Sequence, residues 1–217
     1  MKSIRLFLCA IVLFVGVTAS SSVADIIFSN YGDEDAHDNS TGWAALYNPP
    51  FGSNTRDWDM GMSFTPIGID YYLDTIELTA KLDTGSNELD VWLMNDISGE
   101  PGAIIEEFHF SGELGTGWGH HDPITATSTL NPILQADSQY WIVISTPVEG
   151  SSVSWFQNSI GDTGPRALWD GTDWDIGNPA AYPGVFRVTG EVVPVPGAVL
   201  LGMLGLSVVG VKLRKHA

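Results

Sequence analysis

Tyr72-Leu73-Asp74-Thr75-Ile76-Glu77-Leu78-Thr79-Ala80-Lys81-Leu82 decides the fold class. Ile76, Leu78, Ala80 and Leu82 alternate with Thr75, Glu77, Thr79 and Lys81. A period of two puts one set on a core and the other toward water, which is the signature of a half-buried strand. The neighbouring sequence continues the pattern. Asp83 to Asn87 turns the chain at Gly85, and Leu89, Val91 and Leu93 alternate around Asp90 and Trp92 as a partner strand.

Further strands are expected at Asp25–Asn30, Trp43–Tyr47, Met60–Thr65, Ala103–Phe110, Ile124–Leu130, Ser152–Gln157, Arg166–Trp169 and Val185–Val193. Trp141-Ile142-Val143-Ile144 is apolar at every position and reads as a central strand buried on both faces. Tyr31–Gly42, Asn48–Trp58 and Gly112–Pro123 read as loops, and Trp92, Trp141 and Trp155 as core. No segment before residue 194 has sustained helical periodicity. Roughly nine strands, separated by Gly, Pro, Asn and Asp turns, predict an all-β, antiparallel β-sandwich with a jelly-roll-like arrangement.

The two ends have a different character. Met1-Lys2-Ser3-Ile4-Arg5 is positive, Leu6 to Val17 is apolar, and Ser22-Val23-Ala24 has small residues where a signal peptidase reads. Residues 1–24 therefore read as a signal peptide cut between Ala24 and Asp25. The only cysteine, Cys9, lies within this segment. Its removal leaves a chain with no disulfide, no thiol nucleophile and no Cys-bound zinc.

Residues 25–193 form the expected ectodomain, 169 residues long, enough to bury a core unaided. It holds all 26 acidic residues but only four cations, Arg56, Lys81, Arg166 and Arg187, for a net charge of −22. Nucleic-acid binding needs phosphate-neutralising cations, so that class is excluded. Docking on anionic lipid is disfavoured for the same reason. Solubility is a sufficient explanation of the charge, and Ca²⁺ is the cofactor the carboxylates would suit.

Residues 194–217 begin with Pro194-Val195-Pro196, continue through an uncharged run from Gly197 to Val211, and end in Lys212, Arg214 and Lys215. As a helix the run would be about 22 Å long, short of the roughly 30 Å bilayer core. The prolines disfavour helix upstream, and the cations would hold the end in the cytoplasm. This tail resembles the PEP-CTERM sorting signal of exported Gram-negative proteins. Pro194 and Pro196 match that motif's two prolines, Val195 stands where the family most often has Glu, and Lys212, Arg214 and Lys215 match its basic end. The resemblance implies an exosortase-type partner, a transient inner-membrane anchor and delivery to the envelope or extracellular matrix. The body, from Phe64 through Tyr72–Leu78, Val91–Asp96, Gly99–Gly102, Tyr140–Ile144 and Ala167–Trp169 to Phe186–Gly190, is similar to the choice-of-anchor domains, most like type R. That implies an exported β-sandwich with no defined activity.

Several constellations are candidates for binding or chemistry. Asp170-Gly171-Thr172-Asp173-Trp174-Asp175 places Asp170, Asp173 and Asp175 around a glycine turn, where they could hold Ca²⁺ or simply cap backbone amides. Asp33, Glu34, Asp35 and Asp38 form a second acidic group. Of the eight tryptophans, Trp43, Trp58, Trp118, Trp169 and Trp174 lie near loops, and Trp118, Trp169 and Trp174 are the candidates singled out for stacking on sugar rings. His120-His121-Asp122 could supply a ligand or a base but has no nucleophile elbow or metalloprotease helix to join. Glu106, Glu107 and Glu113 could supply a glycosidase carboxylate pair, although adjacent strand residues face opposite ways. The expectation is a non-enzymatic surface or exopolysaccharide-matrix protein. A carbohydrate-binding module, with or without Ca²⁺, is the alternative, and a glycoside hydrolase the third reading.

Overall fold

The computed structural model describes residues 24–47, 57–177 and 180–194. The signal-peptide segment before Ala24, and the tail from Val195 through Lys212, Arg214 and Lys215, lie outside the described residues, as does Arg56. What is described is all-β, with one 3-10 turn at Asp33–Asp35 and no α-helix. No helix among the described residues is long and apolar enough to cross a membrane.

The strands are β1 (Asp25–Ser29), β2 (His37–Tyr47), β3 (Asp57–Phe64), β4 (Tyr71–Leu78), β5 (Ala80–Thr84), β6 (Glu88–Ile97), β7 (Glu100–Ser111), β8 (Gly115–Thr116), β9 (Ile124–Thr127), β10 (Ile133–Leu134), β11 (Tyr140–Ser145), β12 (Ser151–Asn158), β13 (Arg166–Trp169), β14 (Trp174–Ile176) and β15 (Phe186–Val192). One sheet has the order β1-β15-β4-β10, with β9 also on β4. The other runs β7-β6-β11-β3-β2-β12-β5-β8, with β13 on β3 and β14 on β13. Pairing is antiparallel except between β5 and β8. Leu73, Ile76, Leu78, Phe186 and Val188 of the first sheet meet Met60, Met62, Phe64, Leu89, Val91, Leu93, Ile142 and Ile144 of the second in one buried core. That is a sandwich-like layering of two sheets.

The stretch read as one strand is two. The chain leaves the first sheet at Thr79 and enters the second as β5. Thr79 is fully buried, its hydroxyl lies 2.8 Å from Tyr31 Oη, and its carbonyl accepts the Phe156 amide at 3.0 Å. Side-chain alternation continues across such a switch, so the sequence pattern does not reveal it. Burial pushes the Tyr31 phenol well above its ordinary value, which keeps it neutral at this joint.

Two further expectations are corrected. The polar stretch from His37 to Gly42 belongs to β2, where Asp38 pairs with Gln157 and His37 with Asn158. Backbone pairing needs no apolar side chains, so this extension carries no hydropathy signal. Trp92 is not in the central core. It alternates outward from Val91 and Leu93 and donates from Nε1 to Glu107 at 2.8 Å. Trp141 and Trp155 are fully buried, and Trp141-Ile142-Val143-Ile144 is buried on both faces. Ile142 and Ile144 enter the central core, while Trp141 and Val143 pack outward with Met94, Ala167, Trp92 and Trp174. The β14 hairpin arm thus covers the outer side of the central strand.

Candidate binding pocket

Strand β3 positions the pocket through its alternation. Met60, Met62 and Phe64 point into the core, so Asp57, Asp59 and Gly61 face outward. At Gly61 an added Cβ would stand 3.3 Å from Ala167 and from Val143, close packing that holds β13 and β11 against either side of β3. The register places Trp169 opposite Asp59. The end of β11 brings Ser145, Thr146 and Pro147 to the same rim, and the end of β2 brings Leu46 and Tyr47. These residues enclose a cavity of about 200 Å³ open to solvent.

The cavity has one acidic, one hydroxylic and one aromatic wall. Burial pushes the Asp59 carboxyl up to about 6. A hydrogen bond with the Ser145 side chain opposes that push, and the charges of Asp57 and Asp90 add to it. Thr146 is 3% exposed, and its Oγ1 is buried with no hydrogen-bond partner among the described residues. A buried hydroxyl without a partner typically costs about 1–3 kcal/mol. Trp169 forms the third wall. Its ring centroid lies 5.4 Å from that of Trp174, the two being cross-strand neighbours in the β13–β14 hairpin.

The sequence had singled out Trp169 but not Asp59, Ser145 or Thr146. Extending the Met60–Phe64 alternation back to Asp57 would have placed both carboxylates on one outer face. The signal was hidden because Pro49, Pro50 and Gly52 made the preceding segment read as turn.

The other candidates are dispersed. Asp170 accepts the amides of Thr172 and Asp173 at 3.0 and 3.2 Å, capping the turn at Gly171, where φ is +93°. Among the described residues, no group of three or more His, Cys, Asp or Glu gathers in a metal-holding arrangement. Asp35 pairs with Arg187, while Asp38 accepts from the Ser40 amide and hydroxyl and from the Thr41 hydroxyl. Trp118 is 54% exposed, with Lys81 Nζ 4.1 Å from its ring centroid. It stands edge-on to Phe156, beside the tilted ring of His121. His120 stacks on the buried His37 at 5.5 Å.

Glu106 and Glu107 do face opposite ways. Glu107 is exposed, whereas the buried Glu106 accepts from Ser128 Oγ, Thr129 N, Thr129 Oγ1 and Leu130 N. Burial alone would raise the Glu106 carboxyl, but these four donors outweigh it and hold it below the usual carboxylate range. Its role here is to clamp the β9–β10 loop.

No family model matches this chain, and neither do any curated protein or solved structure.

Proposed function

We propose that this chain is an exported, non-enzymatic protein of the cell surface or exopolysaccharide matrix, carried out by the signal peptide at residues 1–24. An exosortase-type enzyme then recognises the tail at residues 194–217, which holds the protein transiently at the inner membrane. The observation that supports this most is the pairing of an N-terminal positive-apolar-small segment with a C-terminal Pro-x-Pro, apolar run and basic end. The fold is compatible with tethering. Asp25 pairs with Gly190, four residues before Pro194, so both ends of the body leave from one side.

Intact-mass analysis of protein recovered from its native host tests the proposal. The expected species begins at Asp25, ends near Pro194 to Pro196, and is found in the culture fluid or matrix. A membrane-bound species retaining Lys212 to Ala217 would overturn the sorting reading and leave a tethered ectodomain.

A second reading, a carbohydrate-binding module, is favoured by one observation. The Trp169–Trp174 pair stands beside a solvent-open pocket with carboxylate and hydroxyl walls. Such a module would serve the same matrix setting by holding polysaccharide. Chemistry on the glycan is not part of this proposal: of the three carboxylates expected to serve it, Glu106, Glu107 and Glu113, the buried Glu106 is held by four donors and the adjacent Glu107 faces the opposite way.

A further inference from the structure

Where the chain leaves the body, the surface is apolar. Val193 N donates to Asp70 O at 2.9 Å, which ties the start of the tail to the β3–β4 connection. That connection turns at Gly68, where φ is +81°, and Ile69 N donates back to Ile67 O at 3.0 Å. The turn thus holds two isoleucines at its tip, and Ile67 is 81% exposed. The nearby Asp70 carboxylate is turned back, accepting the Ala136 amide at 2.8 Å. Between turn and tail lies a groove of about 330 Å³, walled by Ile69, Ala136, Val192 and Val193. The β6–β7 hairpin reaches the same end, because Tyr140 pairs both with Phe64 at the end of β3 and with Asn95 near the end of β6. Its tip carries Ile97, 56% exposed. Exposed apolar residues scattered singly need no explanation, but gathered at one end they indicate a contact surface.

Chain length indicates what covers it. Only Val195 and Pro196 separate Pro194 from the uncharged run that starts at Gly197. Three residue steps span at most about 10 Å. With the tail inserted, that connector clears a headgroup layer about 5–8 Å deep by only a few ångströms. The run is also short: as a helix it is about 22 Å long, roughly 8 Å less than the bilayer core. With Lys212, Arg214 and Lys215 on the cytoplasmic side, this deficit draws Pro194 toward the bilayer and removes the clearance.

We propose that the Ile67–Ile69 turn, flanked by Ile97 and Val192, rests in the headgroup layer of the membrane while the tail is inserted. This rests on the sorting reading above and names the surface of the body that meets lipid. Charge selects the lipid. A body of net charge −22 is repelled by anionic headgroups, so the rim suits a zwitterionic surface and is held there by apolar contact.

The test uses the full chain with Cys9→Ser, reconstituted in phosphatidylcholine vesicles, with one spin label at a time introduced through Ile67→Cys, Thr172→Cys or Leu204→Cys. Accessibility to oxygen and to a neutral nickel chelate, present on both sides of the vesicle, reports the depth of each label. Leu204 lies within the uncharged run. Thr172 lies in the β13–β14 turn at the opposite end of the body, since Trp169 pairs with Asp59 near the start of β3. The label at 204 is expected in the bilayer interior. The label at 67 is expected at headgroup depth, at least threefold less accessible to nickel than the label at 172. Replacing half the lipid with phosphatidylglycerol should raise nickel access at 67.

A label at 67 as open to nickel as that at 172, with 204 shielded, would overturn the membrane-resting rim and leave the anchor standing. A label at 204 open to nickel would overturn both. Shielding at 67 accompanied by spin–spin broadening that unlabelled protein dilutes away would assign the rim to a second copy of the chain and overturn lipid as its occupant. Equal or stronger shielding at 67 in phosphatidylglycerol would overturn the choice of a zwitterionic surface.

Discussion

Two carboxyls, the half-buried Asp59 and the buried Glu106, make opposite demands on pH. The Asp59 carboxyl is raised in the fold, so the native state favours its protonated form. Its contribution to stability is complete below the ordinary Asp value near 4 and is lost as pH rises through about 6. Asp59→Asn should therefore stabilise the protein by about 2 kcal/mol at pH 7.5 and have little effect at pH 4, as measured by urea unfolding at both values. An equal effect at both pH values would show that Asp59 is not held in a raised state. Glu106 behaves the other way. Its depressed carboxyl contributes stability that is present above the ordinary Glu value and lost as pH falls through the lower folded value. Glu106→Ala leaves the buried Ser128 hydroxyl and the Thr129 and Leu130 amides without their acceptor, so a loss of about 2–4 kcal/mol at pH 7 is expected in the same assay. His37 adds to the acid sensitivity. Burial lowers its pKa, and the nearby His120 and His121 oppose its charging, so its cost to folding grows as pH falls below the ordinary His value.

At the scale of elements, strand β12 links β5 and β8 to the rest of the larger sheet. It pairs with β2 on one side and β5 on the other, and its Trp155 is buried against Phe186 of the first sheet. The indole Nε1 donates to Val185 O at 2.8 Å. Gly184 allows this approach, because a Cβ there would lie 2.6 Å from the Trp155 ring. Gly184→Ala should force the indole to move and cost about 1–3 kcal/mol. Near-UV circular dichroism should change with it, and an unchanged spectrum with unchanged stability would disprove the close fit. The β4–β5 joint is a second coupling. Because Thr79 touches Tyr31 and Phe156 at the switch between sheets, slippage of either strand would disturb both sheets.

The whole molecule is governed by its charge. Each of the three described cations of the body lies over an aromatic ring: Lys81 over Trp118, Arg166 over Trp43 and Arg187 over Tyr31. Lys81 also pairs with Asp83, and Arg187 with Asp35 and Glu77. These cations hold loops and strands in place and do little to dilute the long-range negative field. Self-repulsion at this charge destabilises the compact state, and salt screens it over a Debye length of about 10 Å at 0.1 M. The thermal midpoint should therefore rise by several degrees between 10 mM and 500 mM NaCl. A midpoint that fell with added salt would mean that the local ion pairs outweigh the net repulsion.

Alternating apolar residues were enough to specify an all-β body, because period two has one physical meaning over eight or more residues. Alternation located β6 and β15, a short apolar run located β3 and the Gly150 turn located β12, each to within a few residues, and uninterrupted apolarity identified the doubly buried β11. Hydropathy could not reveal the polar half of β2, since pairing through the backbone leaves no apolar trace. Nor could it show the break at Thr79, because the same alternation serves either sheet. The pocket depended on tertiary structure for a related reason. Asp59, Ser145 and Trp169 lie on three strands, with Thr146 just past the end of β11, and they meet only when β11 and β13 flank β3. Charge, the lack of cysteine beyond the first segment, the strand content and the apolar character of the two ends are all properties of residue type and order along the chain. Which residues meet across strands was decided only in the folded sheet, where register brings together groups more than a hundred positions apart.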